Sequence, residues 1–240
     1  MRPRLPFARS RPPLTGASVP RRTYPAPTNY WEMPAANPWS GASIAATVGT
    51  GLLTNDGSLT IATGVGSYGR RTLDPDGNQG NRLLAVNHNF ASLSSMAMLI
   101  GSDGPGADQV VMTDDNVVGE LAVRVKPNAT PGLFNIVGPN NTVIGSVSTT
   151  SQHLAILTYE LSGMNTLCRG SVDGLTFISC GTVAPTFRGT AFIFGSTYIF
   201  PPVNRFSGTL GEVVEWDTIL SNSDAASLQS IVSAGLAVWP

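Results

Sequence analysis

The sequence is poor in charged side chains. Only 12 % of its 240 residues are Asp, Glu, Lys or Arg, about half the usual share for a globular domain. Lys126 is the single lysine, so nearly every basic residue is an arginine. Such a sparsely charged surface is typical of a protein that packs against others, although a neutral surface rich in Ser, Thr and Asn is the alternative.

Long apolar runs are missing as well. No stretch reaches the ~18 apolar residues of a membrane span, and the N-terminus lacks the apolar segment of a secretory signal. We therefore expect no membrane partner. Cys168 and Cys180 are too few for a disulfide framework. They lie six residues either side of Gly174, so a cross-strand disulfide is conceivable, but assembly inside a cell favours two buried thiols.

Most motifs that carry chemistry are absent. The sequence has no Gly-x-Ser-x-Gly elbow, no phosphate loop and no EF-hand. Of its two histidines, His153 lies on an apolar stretch and is interpreted as structural. The acidic turns, at residues 74–78 and at Asp103 and Asp108, could offer oxygens to Ca²⁺, but Asp, Asn and Gly are also the preferred turn residues. We predict no metal and no cofactor.

The acidic run Glu212–Asp217 is the candidate for glycoside hydrolysis. Retaining hydrolysis needs two carboxyls about 5–5.5 Å apart. Glu212 and Glu215 differ by three positions, so a strand places them on opposite faces. Asp217 is expected to begin a turn. The prediction is therefore that the protein is not an enzyme.

The remaining composition indicates β structure. The chain has 26 Gly, 18 Pro and 42 % hydrophobic residues, which suits many turns around a real core. Short apolar runs recur at the spacing of an all-β sandwich. The predicted strands are Ser43–Val48, Ser58–Thr63, Arg82–Val86, Leu93–Ile100, Gln109–Thr113, Glu120–Lys126, Leu133–Val137, Thr142–Val147, His153–Tyr159, Thr166–Val172, Leu175–Val183, Thr190–Gly195 and Thr209–Trp216.

A short helix is predicted after the last strand. Ser221-x-x-Asp224 is a helix start signal. The residues that follow it place Ala225, Leu228, Ile231 and Val232 on one apolar face, and Gly235 is a plausible stop.

Residues 1–38 differ from the rest of the chain and are predicted to form an extended docking arm. They hold nine of the eighteen prolines and six arginines, whereas residues 39–240 have eight bases against fourteen acids. Such an arm has no core of its own, so it is either disordered or held by a neighbouring subunit. The expected contact residues are Arg2, Arg4, Phe7, Arg9, Arg11, Leu14, Arg21, Arg22, Tyr24, Tyr30 and Trp31. Few aromatics accompany the first arginines, so acidic protein surface is favoured over nucleic acid.

Residues 39–240 resemble a concanavalin A-like jelly roll of the laminin-G type. The closing segment carries the likeness at Phe206, Gly208, Leu210, Glu212, Trp216, Leu220 and Ser221. Two further anchors are the stretch after His153 and the hairpin Ser171-Val172-Asp173-Gly174, while Gln152 stands where the family usually has Trp. The resemblance implies an all-β, two-sheet antiparallel jelly-roll sandwich with one short C-terminal helix. It also implies a structural role for Glu212.

Domains of this kind occur in phage virion proteins, and the arm fits that setting. The favoured hypothesis is a virion structural protein, a phage capsid decoration or minor capsid protein that assembles in the host cytoplasm. Its expected partners are the major capsid protein or other virion subunits, including copies of itself. The alternative is a carbohydrate-binding tail fibre or spike adhesin, with Tyr68, Tyr198 or Phe200 as a glycan platform. A glycoside hydrolase is disfavoured.

Overall fold

The computed structural model describes residues 21–55, 60–74, 83–85, 93–114, 121–163, 165–183, 192–195 and 206–239. The described ranges contain sixteen strands and one α-helix. The strands are β1 (Asn29–Trp31), β2 (Ser43–Ala45), β3 (Leu52–Asn55), β4 (Ala62–Val65), β5 (Arg71–Asp74), β6 (Leu83–Ala85), β7 (Leu93–Gly101), β8 (Gln109–Asp114), β9 (Val123–Pro127), β10 (Leu133–Val137), β11 (Val143–Ser148), β12 (Gln152–Ser162), β13 (Asn165–Val172), β14 (Ile178–Val183), β15 (Phe192–Phe194) and β16 (Thr209–Trp216).

These strands form two antiparallel sheets. The helix-side sheet, which lies next to the C-terminal helix, has the order β14-β13-β12-β7-β16-β5-β4. Strand β1 pairs in addition with residues 213–215 of β16. The far sheet has the order β11-β10-β9-β8-β15-β6-β3-β2. The predicted jelly-roll sandwich is confirmed.

Side chains that alternate between the two faces of the helix-side sheet contribute to two separate hydrophobic cores. Met98 and Ile100 of β7 pack against far-sheet residues such as Phe134 and Ile136. The intervening Ala97 and Leu99 face the other way, into a cluster beneath the C-terminal helix. Because the helix-side sheet is covered on both faces, its central strands read as continuous apolar runs.

The helix α1 (Asn222–Ser233) begins and ends where the sequence predicts. The Ser221 side chain accepts from the Asp224 backbone, and Asp224 accepts from the Ser221 backbone, which forms a capping box. Gly235 has φ 71°, and the Gly235 and Leu236 amides close a Schellman motif onto the last turn. At 12 residues, this one described helix is too short to span a bilayer.

The predicted boundary at residue 38 is corrected by the structure. Strand β1, which lies before this boundary, pairs antiparallel with β16. Asn29 lies opposite Glu215, and Trp31 lies opposite Val213. Tyr30 and Trp31 are 0 % and 2 % exposed and enter the two cores on opposite faces of β1. The described segment from residue 21 onward therefore belongs to the sandwich, because its aromatic side chains bury against their own chain. Residues 1–20 lie outside the described residues.

Several predicted strands are shifted, and three were missed. The bounds of β10 and β16 match the prediction, but β4 begins at Ala62 instead of Ser58. β1, β3 and β5 were not predicted, since each has only three or four residues and too little alternation to identify it.

The two cysteines are buried thiols. Cys168 pairs in register with Gly181, not with Cys180, because a bulge follows Cys168. Burial raises the pKa of Cys180 to about 11. This outcome is the one favoured by the sequence, and such buried thiols are unreactive.

Candidate functional site

A polar cleft of about 350 Å³ lies at one end of the helix-side sheet. Four strands meet there, because Asp74 ends β5, Gly101 ends β7, Gln152 begins β12 and Thr209 begins β16. The described lining residues are all Gly, Ser, Thr, Asp or Gln: Gly66, Ser67, Asp74, Gly101, Ser102, Asp103, Thr149, Thr150, Ser151, Gln152, Ser207, Gly208 and Thr209. The volume lies within the range of small-ligand pockets.

Glycines let the walls of the cleft approach one another. A Cβ on Gly208 would lie 2.4 Å from the Gly101 carbonyl oxygen, and a Cβ on Gly101 would lie 2.5 Å from Thr209 Oγ1. Any side chain at either position would therefore push β7 and β16 apart.

Gln152 forms the floor. Its side chain is only 3 % exposed. Its backbone N–H donates to Ser67 Oγ at 2.8 Å, and its Nε2 donates to Thr209 Oγ1 at 3.4 Å. The turn at Gly66 lies directly over Gln152 Oε1, since a Cβ on Gly66 would be 1.6 Å from that oxygen. Gln152 thus ties three walls of the cleft together.

The charges of the cleft are acidic. Asp74 and Asp103 contribute two carboxyls, and among the described lining residues there is no Lys or Arg. Asp103 is exposed on the loop after β7. The cleft therefore offers carboxylate acceptors and hydroxyl groups, which both donate and accept, and it disfavours an anionic ligand.

The acidic residues of β16 do not form a catalytic pair. Glu212 points to the helix side, where it accepts from Arg70 Nε and from the Val238 amide. Glu215 points to the opposite face and accepts from Asn29 Nδ2 at 2.9 Å. The prediction of opposite faces is confirmed, and the contacts of Glu212 are structural. Burial raises the pKa of Glu215 to about 7, against a lowering by the Asn29 hydrogen bond.

His153 lies beside the cleft but does not line it. Its Nδ1 is 2.7 Å from Asp173 Oδ2, and its Nε2 is 2.9 Å from the Ser148 carbonyl. Burial lowers the pKa of His153, but the hydrogen bond and charge of Asp173 and the Ser148 carbonyl outweigh burial and raise it. With an acceptor at each ring nitrogen, both nitrogens can donate when the imidazole is protonated. His153 therefore fastens the Asp173-Gly174 hairpin to β12.

The arm residues that the structure describes contact their own chain. Arg22 donates to the Val238 and Ala237 carbonyls at 3.2 and 2.9 Å. Tyr24 donates to the Val238 carbonyl and packs edge-on against Trp216. Arg21 is exposed. A docking role for Tyr24, Tyr30 and Trp31 is thus wrong, since their side chains are already buried. The other predicted contacts, Arg2, Arg4, Phe7, Arg9, Arg11 and Leu14, lie outside the described residues.

Tyr68, one of the three aromatics expected to form a glycan platform, is not among the residues that line the cleft. Tyr68 is half-buried against the helix-side core, and its hydroxyl accepts from Gln229 Nε2 at 3.2 Å. Tyr198 and Phe200 lie outside the described residues. Within the part of the chain that the structure describes, no group of three potential metal ligands occurs.

The cleft could not be predicted from the sequence. Its only indications were the Gly-rich loop from Gly101, the glycine at 208 and the substitution of Gln152 for the usual Trp. None of these local features shows that Gly101 and Thr209, which are more than a hundred positions apart in the sequence, lie side by side. Only the strand order shows that they meet.

No protein-family model matches the sequence, and no curated protein matches it. Solved structures do share the fold. Domain 4 of the extracellular arabinanase AbnA from Geobacillus stearothermophilus, in complex with arabinotriose, has a TM-score of 0.53 at 11 % identity, over 83 % of this chain and 96 % of that domain.

Two other similarities involve parts of larger chains. The receptor binding domain of botulinum neurotoxin mosaic serotype C/D has a TM-score of 0.54 at 10 % identity, over 85 % of this chain and 50 % of that one. A Trypanosoma rangeli sialidase has 0.55 at 15 % identity, over 96 % and 36 %. This chain therefore spans about half of the toxin domain and about a third of the sialidase. At these identities the likeness shows a lectin-like jelly-roll fold.

Proposed function

We propose that the protein is a carbohydrate-binding module that holds a neutral, hydroxyl-rich ligand in the polar cleft. The observation that carries the proposal is the described part of the lining, in which carboxyls, hydroxyls, an amide and glycine backbone surround about 350 Å³ and no described residue contributes a basic or aromatic side chain. Sugar hydroxyls donate and accept in the same way as Ser and Thr hydroxyls, so they match such a lining. Carboxylates accept especially strong hydrogen bonds.

The fold similarities support the same class of ligand. The arabinanase domain is in complex with arabinotriose, and the toxin fragment is a receptor binding domain. Neither ligand transfers directly to this chain at 10–11 % identity. What the similarities support is that a sandwich of this shape serves as a binding module.

A binding assay with matched variants tests the proposal. Neutral oligosaccharides, arabinotriose among them, are screened on an array and the hits measured by calorimetry. Asp103→Asn is expected to weaken binding about tenfold, the effect of losing one charge-assisted hydrogen bond. Thr150→Trp, at an exposed position of the lining, should abolish binding by filling the cleft. Asp217→Asn, an exposed carboxyl at the other end of β16, is the control and should bind normally.

A role in a phage capsid remains a second proposal with narrower support. Residues 21–33 fold onto the sandwich, so shell docking now depends on residues 1–20, which hold Arg2, Arg4, Arg9 and Arg11. Removing residues 1–20 is expected to abolish incorporation into particles while leaving glycan binding intact. Normal incorporation of the shortened protein would contradict this second proposal and leave the first untouched.

A further inference from the structure

Two cations converge on one neutral oxygen on the outer face of the far sheet. Arg124 and Lys126 are two positions apart on β9 and so project from the same face. Arg124 Nη1 and Lys126 Nζ each donate to Asn141 Oδ1, both at 3.1 Å. An amide oxygen carries no net charge, so it does not compensate the repulsion between them.

The described acidic residues neutralise only part of the positive charge of Arg124 and Lys126. Asp108 Oδ2 is 3.1 Å from Lys126 Nζ. Among the described residues, no carboxylate lies within ion-pair distance of Arg124. Its Nε is buried without a hydrogen-bond partner, and only one of its nitrogens donates within the described chain. The cluster therefore keeps one excess positive charge and several unused donors.

The acceptor between the cations is held in place. Asn140 and Asn141 both adopt left-handed backbone conformations, with φ 55° and 58°. Asn140 Nδ2 donates to the Cys180 and Thr182 carbonyls at 2.8 and 3.0 Å, which fastens this turn to β14. Backbone conformations of this kind cost energy and concentrate at binding sites.

A polar row extends sideways from Lys126 across the sheet. Asn135 lies opposite Lys126 on β10, and Ser146 lies opposite Asn135 on β11. Ser146 Oγ and Asn128 Nδ2 both donate to Asn135 Oδ1, at 2.7 and 2.8 Å. The row offers neutral hydrogen-bonding groups beside the excess positive charge.

We propose that Arg124, Lys126 and Asn141 form a binding site for an oxyanion, either a carboxylate or a sulfate. The planar guanidinium presents paired N–H donors that match two oxygens of such a group, while Lys126 supplies a second charge. The site shares no residue with the cleft, so it stands whether or not the cleft binds a neutral sugar.

The test is a titration of the ¹⁵N-labelled full chain with sodium sulfate, followed at the arginine Nε–H resonances and, in wild type and variants alike, at the backbone amides of residues 124, 126 and 141. Sodium chloride at equal ionic strength is the reference. We expect the Arg124 resonance to shift saturably with sulfate. Arg124→Gln should remove saturable binding and Lys126→Met should weaken it at least fivefold. Arg71→Gln, an exposed arginine on the helix-side sheet, should bind as the wild type does. If Arg124→Gln fails to fold, Arg124→Lys, which keeps the charge without the fork, should bind at least threefold more weakly.

The ligand's source is decided by a second arm of the experiment. A sulfated tetrasaccharide and a sialylated trisaccharide are compared with their uncharged counterparts. Tighter binding of a charged sugar than of sulfate assigns the site to an acidic glycan, whereas equal affinities assign it to a free oxyanion. Shifts that grow linearly with sulfate, or persist unchanged in Arg124→Gln, would overturn the proposal.

Discussion

Asn29 and Glu215 face each other across the β1–β16 pairing, and the Asn29 amide donates to the Glu215 carboxyl at 2.9 Å. Asn29 Oδ1 in turn accepts from the Gly51 amide. Together these two hydrogen bonds of Asn29 fasten the N-terminal segment to β16 and to the chain that enters the far sheet at β3. The β1–β16 pairing also places an ionisable group, 2 % exposed, within the sandwich.

The buried carboxyl predicts a dependence of stability on pH. The folded-state pKa of Glu215 is about 7, well above its ordinary value of 4.5. Between these values the unfolded chain ionises while the folded chain stays neutral, so stability decreases as pH rises. Glu215→Gln should match the wild type near pH 4.5 and exceed its free energy of unfolding by on the order of 2 kcal/mol at pH 8. Urea unfolding at both pH values measures this, and an unchanged difference contradicts it.

His153 adds to the same trend. Its folded-state pKa is raised, so its contribution is fully present below the unfolded value of 6.5 and is lost as pH rises through the folded value. His153→Gln should lower the free energy of unfolding by about 1–2 kcal/mol at pH 5.5, and by less at pH 8.5. Asp173→Asn preserves an acceptor for the Leu154 amide and should show the same loss of pH dependence. Parallel unfolding curves for wild type and variants at all pH values would rule out this role.

Trp31 tests whether the N-terminal segment belongs to the sandwich. Trp31→Ala is expected to destabilise the isolated protein by about 3–5 kcal/mol, because a large buried side chain leaves a cavity. Leu175→Ala removes a side chain that is 64 % exposed and should cost less than about 0.5 kcal/mol. Thermal and urea unfolding of the two variants gives the comparison. A segment held only by a neighbouring subunit would leave Trp31→Ala as stable as the control.

Gly208 tests the architecture of the cleft. A Cβ at this position meets the Gly101 carbonyl, so Gly208→Ala forces β7 and β16 apart and should weaken both stability and ligand binding. Gly106 has open space around its Cβ position and serves as the control. Gly106→Ala should be neutral in both measurements. Equal behaviour of the two variants would show that the close approach of the strands is unimportant.

The elements that could be predicted from the sequence are those determined by residues close to one another in the chain. Capping residues Ser221 and Asp224 and the stop at Gly235 define the helix, because each acts within a few residues of its partner. The long central strands are visible because they are buried on both faces. By contrast, Tyr30 and Trp31 stand among prolines and look like part of an arm, and only their pairing with β16 makes them core residues.

The cleft and the cation cluster depend on long-range arrangement. Gly101, Gln152 and Thr209 meet because β7, β12 and β16 are neighbours in the sheet, which no local pattern specifies. Arg124 and Lys126 were visible as isolated bases, but Asn141 joins them only through the left-handed turn before β11. The composition therefore indicates the excess of positive charge in the arm, but it does not indicate the smaller excess at Arg124 and Lys126.

The most direct test of the account is to map where a neutral oligosaccharide binds. We expect the amide resonances of Ser102, Thr150, Gln152 and Ser207 to shift together and to saturate when the best ligand from the array is added. We also expect these shifts to disappear in Thr150→Trp and to persist in Asp217→Asn. Saturating shifts confined to other surfaces, or no saturating shift with any neutral oligosaccharide, would contradict a carbohydrate-binding cleft.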